Sequence, residues 1–371
     1  MATVDSLDVL APEQRFECDS FEEALEACVG TFHYDRTEIA IDQISLDDSL
    51  ILDFQGEPHL LTSQGFADIC RLVKVPPKFA SSIPLDLTAE ILDRLKVLHQ
   101  QAALVIRRGN VIVAVVDPLK WTQSRAKQRR PRYEPVSVSR LLQVVQKVWT
   151  PQADWLRIAI SDSGVQVELV GEARLLEPRI GDVSGVGIAV TGSETGGPMP
   201  QARGYTLRLA CTNGAAIPES FGLLRFSTDW RVKFELRLRG FQAKLQEFTV
   251  DHAVLTTTYE QLVSENLTDN LFESLHRQAR YIYRHSPRPE EFADRALGVE
   301  REQRLRIVSP LRRRRADLRA GMAAPALQQS TSLLAWDVFN NITSSARREA
   351  SLPRKTALER LAGDLLHVYR P

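Results

Sequence analysis

Cysteine is scarce in this chain and scattered where it occurs. Cys18, Cys28, Cys70 and Cys211 form no CxxC pair and have no histidine at ligand spacing. A structural zinc site draws four ligands to within about 2.3 Å of one ion, and chains supply them as close pairs. The sequence therefore predicts no bound metal and no disulfide, only buried free thiols, a usage that fits a reducing cytoplasm. Long apolar runs are missing too. Val111 to Val116 is typical of the longest, far short of the ~20 residues that cross a bilayer, so no membrane partner is expected. Met1 to Leu10 is mildly acidic and lacks a basic start followed by an apolar stretch, which argues against a signal peptide.

Catalytic signatures are absent as well. His33, His59, His99, His252, His276, His285 and His367 build neither an HExxH nor an HxH pair, and there is no Gly-x-Ser-x-Gly elbow. The glycine-rich run Thr191 to Gly197 lacks the Lys-Ser/Thr ending of a phosphate loop, and no helix start follows to lend its positive dipole end. It reads as a flexible hairpin loop, and Thr212-Asn213-Gly214 as a turn. No catalytic residue and no cofactor are assigned, and a non-enzymatic role is preferred.

Charge is what the chain does have, unevenly placed. Residues 1–60 hold fifteen Asp and Glu against Arg15 and Arg36, a local balance of −13 in a chain whose net charge is zero. The remaining 311 residues carry +13. Such a polarised surface attracts polyanions at one place and repels them at another.

At 371 residues, with 43% hydrophobic and 25% charged residues, the composition is that of a globular protein with room for two or three cores. Ser20 is placed to cap a helix beginning Phe21-Glu22-Glu23, and β-like runs follow at Glu38 to Ile44, Ser49 to Phe54 and Pro58 to Leu61. Thr62 caps a helix stopped by Pro76-Pro77, and Pro84 to Leu98 restarts one with Leu87, Ile91, Leu95 and Leu98 as its apolar stripe. Two β-branched runs flank Arg107-Arg108-Gly109-Asn110 as a hairpin. A helix at Val138 to Val148 precedes a second hairpin across Asp162-Ser163-Gly164, and β runs at Val186 to Val190 and Tyr205 to Cys211 flank the glycine-rich loop. Beyond Trp230 the pattern is helical. The expected fold is α+β: a hairpin-built antiparallel sheet with flanking helices, then an all-helical C-terminal region. The divisions are an acidic flexible start (1–19), an α+β body (20–229) and the helical region (230–371).

Three ordered segments resemble a known family. They are Gly187 to Gly196 with Tyr205 to Gly214, Leu61 to Pro84 with its Val-Pro-Pro-Lys-Phe turn, and Trp336 to Thr343. Together they resemble the phage- and plasmid-like family catalogued as domain of unknown function 932, with a looser similarity to phage single-strand annealing proteins. The resemblance spans about residues 60–343 and implies a mobile-element or prophage setting; the family carries no settled activity. The acidity of residues 1–60 is not a feature the resemblance implies.

The basic clusters suggest what such a protein binds. Lys120, Arg125, Lys127, Arg129, Arg130 and Arg132 form a run with no acid, Trp121 beside its start and Tyr133 at its end. Arg312, Arg313, Arg314 and Arg315 stand side by side, pointing all round a helix, so one acidic partner helix cannot answer them all. On the helix from Leu267, a core stripe of Leu271, Leu275, Ala279 and Ile282 leaves Arg277, Arg280, Tyr281 and Arg284 off it. Cations neutralise phosphates while aromatic faces stack bases. The expected function is cytoplasmic nucleic-acid binding, favouring single-stranded DNA, in recombination, annealing or protection. Two alternatives stay open. In one, an assembly module docks its basic helices on the acidic N-terminus of a neighbouring subunit, forming a homo-oligomer. In the other, a metal-dependent nuclease uses acidic residues near the hairpins.

Overall fold

Alternating polar and apolar residues draw the first two-thirds of the chain into two sheets. They are seen in a computed structural model that describes residues 10–47, 49–54, 56–98, 102–117, 135–149, 155–176, 184–197, 199–208, 213–216, 223–227, 229, 232–248, 252–284, 286–308 and 333–369.

The smaller sheet is built from β2 (Asp35–Ala40), β3 (Ser45–Leu46), β4 (Leu52–Phe54), β5 (Glu57–Leu61), β6 (Ala102–Arg108) and β7 (Val111–Val116), in the order β2-β6-β7-β5-β4-β3. Its pairs are antiparallel except β5 with β7, which run parallel at Leu60↔Val111 and Leu61↔Ile112. Gly109, at φ +59°, takes the left-handed turn of the β6–β7 hairpin. Helices α2 (Ser63–Leu72), α3 (Pro77–Ser82) and α4 (Leu85–Lys96) lie beside it. Thr62 caps α2: its hydroxyl accepts from the Gly65 N–H at 3.1 Å and donates to the Val113 carbonyl at 2.8 Å. Helix α4 keeps half of the expected stripe. Ile91 and Leu95 pack against the sheet core beside Leu85, Ala89 and Leu92, whereas Leu87 is 42% and Leu98 73% exposed.

The larger sheet has seven strands: β1 (Arg15–Cys18), β8 (Trp155–Ser161), β9 (Gly164–Leu176), β10 (Ser184–Gly192), β11 (Gln201–Arg208), β12 (Asn213–Ala216) and β13 (Leu223–Arg225). They pair in that order and all antiparallel, with β12 and β13 sharing the far edge of β11. Val165, Val167 and Leu169 of β9 face a core shared with α1 (Phe21–Val29), α5 (Val138–Trp149) and α6 (Phe234–Gln246). The alternate residues Gln166 and Glu168 are buried on the other face. Gly187 sits where β10 crosses β9 so closely that a β-carbon would overlap the Leu169 carbonyl.

That second face is covered by C-terminal helices: α7 (His252–Ser264), α8 (Asp269–Ile282), α9 (Pro289–Leu297), α10 (301–308), α11 (Ala335–Arg348) and α12 (Leu352–Val368). They share a core of Tyr259, Phe272, Trp336, Phe339, Leu358 and their neighbours with Val186 of the sheet. Tyr259 Oη lies 2.7 Å from Thr206 Oγ1 of β11.

The α+β class with helices after the strands is what the sequence predicts. The expected divisions shift in two places. Within the acidic start, Arg15–Cys18 is an edge strand paired with β8 from Arg15↔Ser161 to Cys18↔Ile158, and Arg15 donates to the Glu349 carbonyl at 2.8 Å. Residues 1–9 of that start lie outside the described residues. Helix α6, expected with the C-terminal helices, packs into the core of the larger sheet instead, through Leu238, Phe241 and Leu245.

Candidate nucleic-acid interface

Of the site residues proposed from sequence, those on α8 are described. Lys120, Trp121, Arg125, Lys127, Arg129, Arg130 and Arg132, and Arg312 to Arg315, lie outside the described residues. Thr268 caps α8, accepting from the Leu271 N–H at 3.3 Å. Phe272, Leu275, His276 and Ala279 are buried, so helical periodicity turns Arg277, Arg280, Tyr281 and Arg284 to solvent, as the stripe argument required. Tyr281 is 65% exposed, unusual for so large a ring. The Arg284 guanidinium sits 4.0 Å from its centroid and donates to the Tyr281 carbonyl at 3.1 Å. This cation–π pair holds ring and charge together at the surface.

Behind this face, acids fix the remaining bases. Arg280 Nη1 lies 2.9 Å from Glu290 Oε1, and Arg277 reaches Glu273 at 3.8 Å. Arg304 of α10 pairs with both Glu290 and Asp294, at 3.1 Å for the latter. His276 Nε2 is 3.0 Å from Asp294 Oδ1. Burial pushes the imidazole below its ordinary pKa, against the opposing pull of Asp294 and Glu290. Burial alone would raise Glu290, but the Arg280 hydrogen bond and the Arg304 charge bring it below the usual carboxylate range. The cluster clips α8, α9 and α10 together and leaves Arg284, Arg301 and Arg306 outward.

Two buried polar networks carry no signal in the sequence reading. The first joins the sheets. Asp162, 2% exposed, accepts from Arg108 Nε and Nη2 at 3.0 and 3.1 Å, from Tyr34 Oη at 3.2 Å and from the Gln14 N–H at 2.9 Å. The glycine-rich loop belongs here and is far from a flexible excursion: Ser193, Glu194 and Thr195 are buried. Thr195 donates to the Asp162 carbonyl at 2.6 Å, and Gln64 of α2 donates to the Thr195 carbonyl at 2.8 Å. Burial raises the Glu194 pKa, opposed by Arg36, its ion-pair partner, and by the Val138 N–H. The second network lies between β9 and α12. Lys355 Nζ is 2.5 Å from Glu168 Oε1 and 3.6 Å from Glu359 Oε1, and Gln166 Nε2 donates to both glutamates at 2.6 and 2.8 Å. Two features hint at these networks: Arg107-Arg108 ends an otherwise apolar strand, and Gln166 and Glu168 alternate with apolar residues on β9.

The acidic N-terminal segment also finds close partners. Glu17 pairs with Arg15 and, at 2.8 Å, with Arg157, and Asp35 lies 3.8 Å from Arg107. Burial would raise the Glu17 pKa, yet Arg157 and Arg15 together hold it below the usual range.

Among the described residues, no three His, Cys, Asp or Glu side chains gather as a metal site, and no helix is long and apolar enough to cross a membrane. Cys18, Cys28 and Cys70 are free, and burial pushes the thiols of Cys28 and Cys70 up to about 12; Cys211 lies outside the described residues. No family model, curated protein or solved structure matches the chain.

Proposed function

We propose that this protein binds nucleic acid, with single strands favoured, and that it is a cytoplasmic protein of phage or plasmid type acting in recombination, annealing or protection. The observation that carries the reading is the outward face of α8, where an exposed tyrosine bears an arginine on its ring and has two more arginines beside it. Exposed aromatic area next to guanidinium groups stacks unpaired bases and neutralises the adjoining phosphates, with no sequence readout required. A duplex hides its base faces, and this favours single strands.

The test is fluorescence anisotropy with labelled single- and double-stranded oligonucleotides across a salt series. If about five phosphates are neutralised, log affinity falls against log salt with a slope near −3.5. Tyr281→Ala weakens single-strand binding by about 1–3 kcal/mol, the usual worth of one stacked base, with little effect on the salt slope. Absence of binding at low salt, or a flat salt response, refutes the proposal.

A further inference from the structure

Next to the exposed α8 face, a cleft of about 270 Å³ opens between α9, α11 and the end of α8. One wall is aromatic. Tyr283 and Phe292 stack with centroids 5.2 Å apart, Tyr283 on the inside and Phe292 37% exposed, and the Arg295 guanidinium lies 5.6 Å from the Phe292 centroid. The other wall is a polar stripe of α11, where Asn341, Ser344 and Arg348 recur at helical spacing. Arg348 Nη2 donates to Ser344 Oγ at 2.7 Å, which lays the guanidinium along the cleft.

The charges in this cleft differ from those around it. Arg277, Arg280, Arg288 and Arg304 all reach carboxylates. Among the described residues, Arg295 and Arg348 are in no ion pair with a carboxylate. The one acid at the rim, Glu349, already accepts from the Ser351 N–H at 3.1 Å and stands 4.0 Å from Arg354. Two guanidinium groups in no ion pair, two serine hydroxyls lining the same cleft and a partly exposed aromatic ring are complementary to a phosphate carrying a flat heterocycle. The carboxamide of Asn341 offers both a donor and acceptor to a base edge. A cleft of this size is at the small end of ligand sites, enough for one such unit.

We infer that this cleft holds one nucleotide, its phosphate between Arg295 and Arg348 and its base on the Phe292 side. The inference rests on the proposed nucleic-acid binding for its setting: the cleft is lined by Tyr283, at the end of the helix that carries Tyr281. The same chemistry is met by a free nucleoside monophosphate.

The probes that separate these sources are thymidine monophosphate, inorganic phosphate and a short oligo(dT), titrated into the full chain. Arg295→Gln/Arg348→Gln is compared with Arg71→Gln/Arg94→Gln, which removes the same charge from α2 and α4. The cleft variant loses about tenfold or more in affinity for thymidine monophosphate, equivalent to at least ~1.4 kcal/mol. It also binds oligo(dT) more weakly, with the salt slope shallower by about 0.7, one phosphate contact. The control pair changes neither. Phe292→Leu weakens thymidine monophosphate but leaves inorganic phosphate unaffected. Equal thymidine monophosphate affinity in wild type and cleft variant, no binding to the wild type, or an equal loss in the control pair overturns the inference. Strand binding that survives unchanged in the cleft variant removes the cleft and leaves the nucleic-acid reading standing. Monophosphate binding lost in that variant, with no strand binding by the wild type, keeps the cleft and removes the nucleic-acid reading. Should the cleft variant not fold, phenylglyoxal labelling of the wild type decides: thymidine monophosphate shields Arg295 and Arg348 but not Arg94, and unshielded labelling overturns the assignment.

Discussion

Replacing Lys355 by Met tests whether the buried network between β9 and α12 is an electrostatic unit. The ammonium is 1% exposed and is the counter-ion of Glu168 and Glu359, themselves 1% and 2% exposed. Burial disfavours its charge, but the two carboxylates outweigh that and raise its pKa. Met matches the stem in length and packs well, so the loss is one of charge. Two buried carboxylates without their cation make the cost of a broken buried pair about 3–5 kcal/mol. With an m value near ~3 kcal/mol/M, the urea midpoint followed by circular dichroism drops by about 1 M or more at pH ~8. The pH dependence carries the sharper test. Burial pushes Glu359 up to about 7 from an ordinary 4.5. The folded state therefore binds more protons than the unfolded chain in that window, and this group's stabilisation is present below it and lost as pH rises through about 7. Without Lys355 the Glu359 pKa rises further, so the variant's deficit is largest above pH ~7 and narrows towards pH ~5, where Glu359 is neutral in either protein. Glu359→Gln added to Lys355→Met removes one stranded charge and recovers about half the loss. A deficit that does not vary with pH, or a double variant no more stable than the single one, refutes the electrostatic account.

Asp162→Ala strands Arg108, whose side chain is 18% exposed, and removes four hydrogen bonds, two of them from Arg108 of the smaller sheet; it lowers stability by about 3–5 kcal/mol in urea, and a loss under ~1 kcal/mol would show the junction to be dispensable. His276 is held below its ordinary pKa of 6.5 by burial, so the unfolded chain protonates first and stability falls as pH drops through about 6.5; His276→Gln flattens that limb of the stability profile, and an unchanged profile contradicts the assignment. Deleting residues 1–19 removes β1, uncovers the β8 edge and frees Arg157 from Glu17; the shortened protein melts at a lower temperature and is cut faster by protease, whereas an unchanged melting temperature would mean that the strand contributes nothing.

Local chemistry made much of the fold legible. Ser20 and Thr62 are cap residues whose hydroxyls accept from the N–H three positions on, and the turns at Gly109 and Gly164 take the positive φ that only glycine adopts freely. Long-range packing was not legible. Gln166 and Glu168 alternate with Val165, Val167 and Leu169, a pattern that in an antiparallel sheet usually marks a solvent face. They are buried because α12, nearly two hundred residues later, brings Lys355 over them. Helix α4 was legible in part. Of Leu87, Ile91, Leu95 and Leu98, which satisfy the helical period, Ile91 and Leu95 meet the sheet core. Leu87 and Leu98 do not, because the helix is rolled to bring Leu85, Ala89 and Leu92 onto that core as well.

The same distinction governs the charges. A count along the chain sets an acidic first sixty residues against a basic remainder and invites the picture of one docking on the other. In the fold, that acidic segment is threaded through both sheets, and some of its carboxylates meet arginines on strands: Glu17 with Arg15 and Arg157, Asp35 with Arg107. Each such pair is local, about one Debye length or less across, and is screened little by salt when half-buried. Arginines such as Arg277 and Arg280 on α8 are answered by acids of their own neighbourhood. Arg295 and Arg348, in no ion pair with a carboxylate among the described residues, line one cleft at the end of α8. Net charge along a sequence therefore says little about where a polyanion would bind. What matters is the charge remaining after the fold has paired the rest, and Arg295 and Arg348, lining one cleft, belong to that remainder.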